Sequence, residues 1–413
     1  MLVVVAALAR ASWPSSRRWM STAMLPQLAR VDLDPPARVE DEMVYLRLHS
    51  KPKSNSASGS RLATQPAQTQ LRLSVVADVE QRRRVSVAAT PMAQQLQVHG
   101  PSQPAEHPSA TSFLDVWSSR SSSDRPDLRF ALVETGEQRQ EAESTKHIEV
   151  TIPLKWSFAL DASTLAGSTA FSASKIESHA VRVALAGQSS CQLNSVKATF
   201  VTVSTEDGDI HADTLLGNLQ LTCAGRGQIQ IHTKAQGESM EFASKAGSIH
   251  CQNVYTNTLH ISSGSSGADA QQPPQETTTA TTSQWTIGAL HAEEECTVTM
   301  DGEYGRPRFV VDSFAGGSLR VKSSQPCDLD IRHEERAGLI QVDAVGNSTV
   351  VITSPATSSS SASAGRRQLH LAEPSATSTR IQVNNPNGST QLKQSSSSSW
   401  LTGALSKLSL SDE

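Results

Sequence analysis

Three carboxylates, Glu206, Asp207 and Asp209, crowd around Gly208, and an acidic turn of this kind can hold calcium through side-chain oxygens. The strict spacing of repeat-bound calcium turns is absent, so a solvated turn is expected. His211 and His250 carry metal-binding imidazoles and, with Gln230, fall on one side of an alternating pattern. Two strand spacings would part the two histidines by about 10 Å, too far to share an ion. The five cysteines, Cys191, Cys223, Cys251, Cys296 and Cys327, are at least 28 residues apart, without the Cys-x-x-Cys pairs of zinc or redox sites. Arg82-Arg83-Arg84 could meet an anionic lipid or a phosphate, although a charged strand edge is the commoner use of such a run. Glu293-Glu294-Glu295 reads as a solvated turn. Gly225-Arg226-Gly227 begins like a dinucleotide loop, but Gln230 stands where the third glycine belongs and no βαβ unit surrounds it. None of these sets makes a catalytic, cofactor-binding or metal site.

The elements that carry these residues explain most of them. A short phrase recurs from about Gly208 to Thr353: glycine, one polar residue, then apolar residues at every second position. It stands as Gly208-Asp209-Ile210-His211-Ala212, Gly227-Gln228-Ile229-Gln230-Ile231 and Gly247-Ser248-Ile249-His250-Cys251, at intervals of 19 and 20 residues. Gly317-Ser318-Leu319-Arg320-Val321 and Gly338-Leu339-Ile340-Gln341-Val342 repeat it 21 residues apart. Alternation sends Ile210, Ile229 and Ile249 to one face and His211, Gln230 and His250 to the other. A second strand follows within each repeat, as in Leu219 and Leu221 after Gly217, and Leu259 and Ile261 after Asn257. A strand-built period this short predicts an all-β chain, a parallel β-solenoid with rungs of roughly 20 residues. The repeat glycines are expected where the chain turns, at positions that favour positive φ and exclude a Cβ. All five cysteines share the parity of the inward residues, keeping step with Leu193, Leu221, Ile249, Val298 and Leu329, so they should be buried and reduced.

Composition narrows the rest. With 413 residues, 37% hydrophobic and 4% aromatic, the folded part should be less than the whole. A net charge of −4, with lysine and arginine scattered, argues against nucleic acid as the main partner. Residues 1–31 differ: Arg10, Arg17, Arg18 and Arg30 occur with Ser12, Ser15, Ser16 and Ser21, and no acid precedes Asp32. That start reads as a mitochondrial transit peptide, with the matrix as destination. Leu2 to Ala9 could be the core of a secretory signal, but such a core wants its positive charge ahead of it, and secretion is the alternative. No apolar stretch approaches the roughly 20 residues that span a bilayer, and a soluble mature protein is expected.

The solenoid is expected over 37–354, with low-complexity insertions at 51–70, 97–145 and 264–284, the second containing some strand. Residues 355–386 read as a low-complexity linker. Residues 387–413 read as a last rung at Asn387 to Leu392 and a tail with an amphipathic end, Trp400 to Leu408.

The Gly-x-Ile/Leu rungs, the segment Ser204 to Ile210, the phrase Ile152-Pro153-Leu154-Lys155, Asn387-Gly388 and Ser399-Trp400-Leu401 together resemble the adhesin-type solenoid domain. Within it they are similar to the eukaryotic proteins called family with sequence similarity 185 member A. The likeness runs from about Ala37 to Leu408, interrupted by insertions such as Gly264 to Gln284. The resemblance implies a β-solenoid and a mitochondrial address, and brings no catalytic residues or cofactor with it.

Two classes of function fit. One is a non-enzymatic binding or scaffolding protein that presents a rung-built face to another protein. The other is a solenoid enzyme or lectin-like module acting on polysaccharide, which would want converging carboxylates and aromatic sugar platforms. The few aromatics favour the first. The transit-peptide reading predicts that the protein recovered from mitochondria begins between about Ser21 and Arg30. N-terminal sequencing checks this, and an intact Met1 or recovery from a secreted fraction contradicts it.

Overall fold

A computed structural model describes residues 4–6, 27–32, 43–50, 71–78, 84–90, 96–99, 110–118, 128–133, 146–153, 155–164, 168–263, 283–301, 306–354 and 379–394. The chain divides into two compact units, residues 1–227 and 228–413. The first unit contains β1 Val4–Ala6, β2 Gln27–Asp32, β3 Met43–Ser50, β4 Leu71–Asp78, β5 Arg84–Thr90, β6 Leu96–His99, β7 Ala110–Ser118 and β8 Leu128–Val133. It continues with β9 Lys146–Pro153, β10 Ser157–Ala162, β11 Thr169–Leu185, β12 Ser190–Thr205 and β13 Ile210–Cys223. The second contains β14 Ile229–Ser244, β15 Ile249–Ser263, β16 Gln284–Met300, β17 Arg308–Ser323, β18 Asp328–Asp343, β19 Thr349–Ser354, β20 Arg380–Asn384 and β21 Ser389–Gln394. Helices are absent among the described residues. The fold is the expected parallel β-solenoid.

One rung shows how sequence makes the coil. In β15 the covered residues are Ile249 and Cys251, then Val254 and Thr256, then Leu259, Ile261 and Ser263. Alternation slips at Gln252-Asn253 and again at Asn257-Thr258, where two successive side chains are left uncovered. Each slip turns the chain by one corner and resets which parity faces inward. A rung therefore has three short straight sides, and the sequence phrase marks the first and third of them. The second side was missed: its inward set is one or two residues, too few to show a period.

Rungs stack by parallel pairing that keeps register along each side and shifts at corners. In the second unit Ile229, Ile249, Trp285, Phe309, Leu329 and Val350 follow one another as paired neighbours and fill one inward column. Met240, Leu259, Cys296, Leu319, Ile340 and Ile381 fill the third-side column. In the first unit Phe171, Cys191 and Ile210 form the corresponding column. Each of these side chains is less than 5% exposed, and full burial of an aliphatic or aromatic side chain is worth about 1.5–3 kcal/mol.

The corners need special backbone. Lys175 and Ser195 occupy the first corner of successive rungs, both left-handed, with φ of 55 and 56°. At the second corner Gly217 has φ of 129°, and a Cβ there would run into the carbonyl oxygen of Ala198 in the rung before. The repeat glycines meet the expectation in excluding a Cβ but not in their φ. Gly208 is not in the left-handed region; it is required because a Cβ would strike the main chain of Ser189. Close approach of stacked turns, rather than positive φ, selects glycine at that position.

The first unit also shows how the stack begins. β4 pairs in parallel with both β9 and β11, so an upstream strand is intercalated between two rungs on their first side. On the third side β10 pairs in parallel with β3. Beyond these, pairing changes sign: β5 runs antiparallel to β9, β2 to β5, β7 to β3 and β8 to β7. Thus the expected insertion 97–145 includes β7 and β8, which build sheet, and the expected leader 1–31 includes β1 and most of β2.

Long intervals separate some successive sides of the coil. Trp285 pairs with Ile249 although it stands 36 positions further along the chain, because 264–282 lie between β15 and β16 in the sequence. Residues 355–378 lie between β19, a first side, and β20, a third side. β20 corrects the reading of 355–386 as linker throughout; five alternating residues were too short to stand out beside a serine-rich run. β21 pairs with β19 and is the last rung expected at Asn387 to Leu392. The expected amphipathic end, 400–408, and the insertion 51–70 lie outside the described residues.

Register yields the sharpest test. Ile249 is fully buried whereas His250 is exposed. Ile249→Asp should destabilise by several kcal/mol, about 3–5, and His250→Asp by no more than about 0.5 kcal/mol, read by denaturant titration. Equal costs, or a reversed order, would contradict the register, since a one-residue slip inverts every facing.

Candidate functional site

The acidic turn resolves into rung-to-rung stitching. Glu206 Oε2 accepts from the Gly187 amide at 2.8 Å, and Asp207 Oδ1 accepts from the Arg226 amide at 3.3 Å. Asp209 Oδ2 lies 3.9 Å from His211 Nε2. Glu206 thus satisfies the preceding turn and Asp207 the following one, and Gly225-Arg226-Gly227 is that next turn of the same stack. Among the described residues no three His, Cys, Asp or Glu side chains are grouped to hold a metal.

The histidine ladder is outward. His211 is the paired neighbour of Gln192 in the first unit; Gln230, His250 and Thr286 are successive neighbours in the second. Glu293, Glu294 and Glu295 lie within β16 at its second corner, not in a separate turn. Glu295 Oε1 meets Arg320 of the following rung at 3.1 Å, both side chains about half exposed, a pair worth about 0–1 kcal/mol. Arg84 opens β5 opposite Asp32, whereas Arg82 and Arg83 lie outside the described residues.

The cysteines are all free and all buried. Desolvation pushes the Cys251 thiol up to about 12, and drives those of Cys191 and Cys296 upward as well. Burial also raises Cys223, against hydrogen bonds from Gly225, Thr205 and Gly227 that favour its thiolate. Since the thiolate is the nucleophile and the metal ligand, these sulfurs act as core atoms.

A second set of buried polar groups was not anticipated. Ser and Thr occupy inward positions at the turns: Ser244 Oγ accepts from the Gly247 amide at 3.1 Å, and Thr205 Oγ1 donates to the Gly208 carbonyl at 2.7 Å. Ser348 Oγ accepts from the Cys327 amide at 3.1 Å and donates to the Val345 carbonyl at 2.6 Å. Each hydroxyl satisfies main-chain groups that the turn takes away from water. Serine is so abundant here that nothing in the sequence separates these from solvent-facing ones.

Few large apolar side chains remain outside. Phe200 is 47% exposed and packs edge-on against His179, with ring centroids 5.6 Å apart. In the second unit Tyr255, 41% exposed, lies on the second side of its rung. Lys234 Nζ stands 5.3 Å from its ring centroid, and the His291 ring on the next rung is 6.4 Å away. Lys234, Tyr255 and His291 thus form a cationic-aromatic patch across three rungs. The sequence could not reveal it, because the second side carries no legible period. Among the described residues no helix is long and apolar enough to cross a membrane. Compared with protein-family models, curated proteins and solved structures, the chain matches none.

The buried thiols give a direct check. In native protein all five cysteines should label with a thiol reagent at least about 100-fold more slowly than after denaturation. Fast native labelling of several would contradict their inward parity.

Proposed function

We propose that the chain is a non-enzymatic mitochondrial binding or scaffolding protein, and that it engages another protein through the outer face around Tyr255. The single observation that carries this reading is the patch of Lys234, Tyr255 and His291, an exposed aromatic held between an ammonium group and an imidazole ring on consecutive rungs. A tyrosine presented on a fixed sheet adds contact area at little cost in side-chain freedom, which is why such residues dominate interface energetics. Parallel stacking supports the reading further: it holds outward side chains in straight columns at strand spacing, so a partner meets a preformed surface. The mitochondrial address rests on the acid-free, arginine-rich start, and the resemblance to the adhesin-type solenoid proteins accords with it.

The experiment is affinity capture of the tagged protein from intact mitochondria, alongside the double variant Tyr255→Ala, His291→Ala. Proteins recovered with the parent should fall by at least about tenfold with the variant, whose outward substitutions leave the core untouched. Equal recovery by both, or exclusion of the protein from mitochondria, contradicts the proposal.

A further inference from the structure

Among the described residues His333 is the one buried histidine, at 3% exposure, and it was not among the residues that the sequence singled out. It stands in β18 beside Phe314 of β17, in the second-side column that runs through Val254 and Leu290. Its Nδ1 lies 3.0 Å from the Glu334 carbonyl oxygen, which can only accept, so Nδ1 carries the proton and donates. In the neutral ring Nε2 is then an acceptor, and it receives the Ser354 hydroxyl at 2.8 Å. Thr379 Oγ1 lies 3.5 Å from Nδ1. Ser354 is the last residue of β19, and Thr379 immediately precedes β20. One imidazole therefore touches both points at which the chain leaves the last rungs for residues 355–378 and returns to them.

We propose that His333 is a pH-sensitive clasp: neutral, it ties the end of β19 to the start of β20, and protonated, it loosens these last rungs. With a second proton on the ring, Nε2–H and the Ser354 O–H face each other, and the hydroxyl must turn away to let its oxygen accept. The new charge would also sit in a desolvated place that no carboxylate among the described side chains faces. The charged groups beside it are already engaged: the Glu334 carboxylate accepts from the Ser313 hydroxyl of β17, and Arg332 pairs with Asp312 of β17 at 4.0 Å. Among the described residues of β19 and the lead into β20 it meets the hydroxyls of Ser354 and Thr379. Burial lowers the His333 value from 6.5, opposed by the Glu334 carbonyl. A lowered folded-state value means that the clasp's contribution is complete above pH 6.5 and is lost as pH falls from there through the folded value.

Hydrogen exchange over 349–354 and 380–384, corrected for intrinsic rates and measured on the full chain at about pH 7.5 and about pH 5, tests this. Protection in the parent should drop by at least about tenfold at the lower pH, while His333→Gln, which does not titrate, should change by less than about threefold. Ser354→Ala should lower protection already at neutral pH. An unchanged parent, or an equal acid loss in His333→Gln, overturns the proposal. If that variant does not fold, nitrogen-resolved NMR titration of His333 in the parent decides: a midpoint below 6.5 supports the clasp, and one at or above it overturns it.

Discussion

Like must stack over like, and the rest of the structure follows from that requirement. Parallel pairing in register along each side places each inward side chain directly on its counterpart in the next rung, as Ile249 lies between Ile229 and Trp285. No rung can bury its own inward face, so stability is shared between neighbours. The backbone pays at the corners and turns. Left-handed Lys175 and Ser195, the constrained Gly217 and Gly208, and the buried turn hydroxyls of Thr205, Ser244 and Ser348 are the adjustments that let successive rungs close to strand spacing. Trp285 shows the strength of the demand: among the described residues its indole Nε1 finds no hydrogen-bond partner, a penalty of about 1–3 kcal/mol that burial of so large a ring offsets.

The first and third sides were legible because each carries two or three inward residues at period two after a small or polar residue, as at Ile249-His250-Cys251 and Leu259-His260-Ile261. The cysteines could be placed by the same parity. The second side was not legible, because the slips at Gln252-Asn253 and Asn257-Thr258 break the alternation on both flanks of Val254. For Gly208 the exclusion of a Cβ was legible but not its source: the constraint comes from Ser189, in the preceding turn, and not from positive φ, and sequence shows a residue's neighbours along the chain more readily than those across rungs. β20 and the bonds of His333 were hidden by the separation between their parts, 46 residues in the case of Thr379 and His333.

Fold and function use different residues in this architecture. Inward columns are committed to packing, and the thiols among them are chemically muted by burial. Outward positions are free to vary, which is where Lys234, Tyr255 and His291 meet. Residues 264–282 fall between β15 and β16, which still pair column to column, and residues 355–378 fall between a first side and a third side. His333 departs from this division: a polar group placed inward, it makes the last rungs answerable to solution conditions that an apolar residue would ignore.

If identical stacking is the organising constraint, whole rungs are removable and fractions of rungs are not. Phe309 pairs with Leu329, so deleting Phe309–Asp328 removes one 20-residue coil and brings Leu329 under Trp285 in the same column. Deleting Phe309–Ser318 removes the first two sides and leaves the third without its coil. The most direct measurement is circular dichroism through a denaturant titration of the two proteins beside the parent. A native β signal and cooperative unfolding in the whole-coil deletion, both lost in the half-coil deletion, is the result expected. Equal tolerance of the two deletions, or collapse of both, would contradict a structure held together by rungs in register.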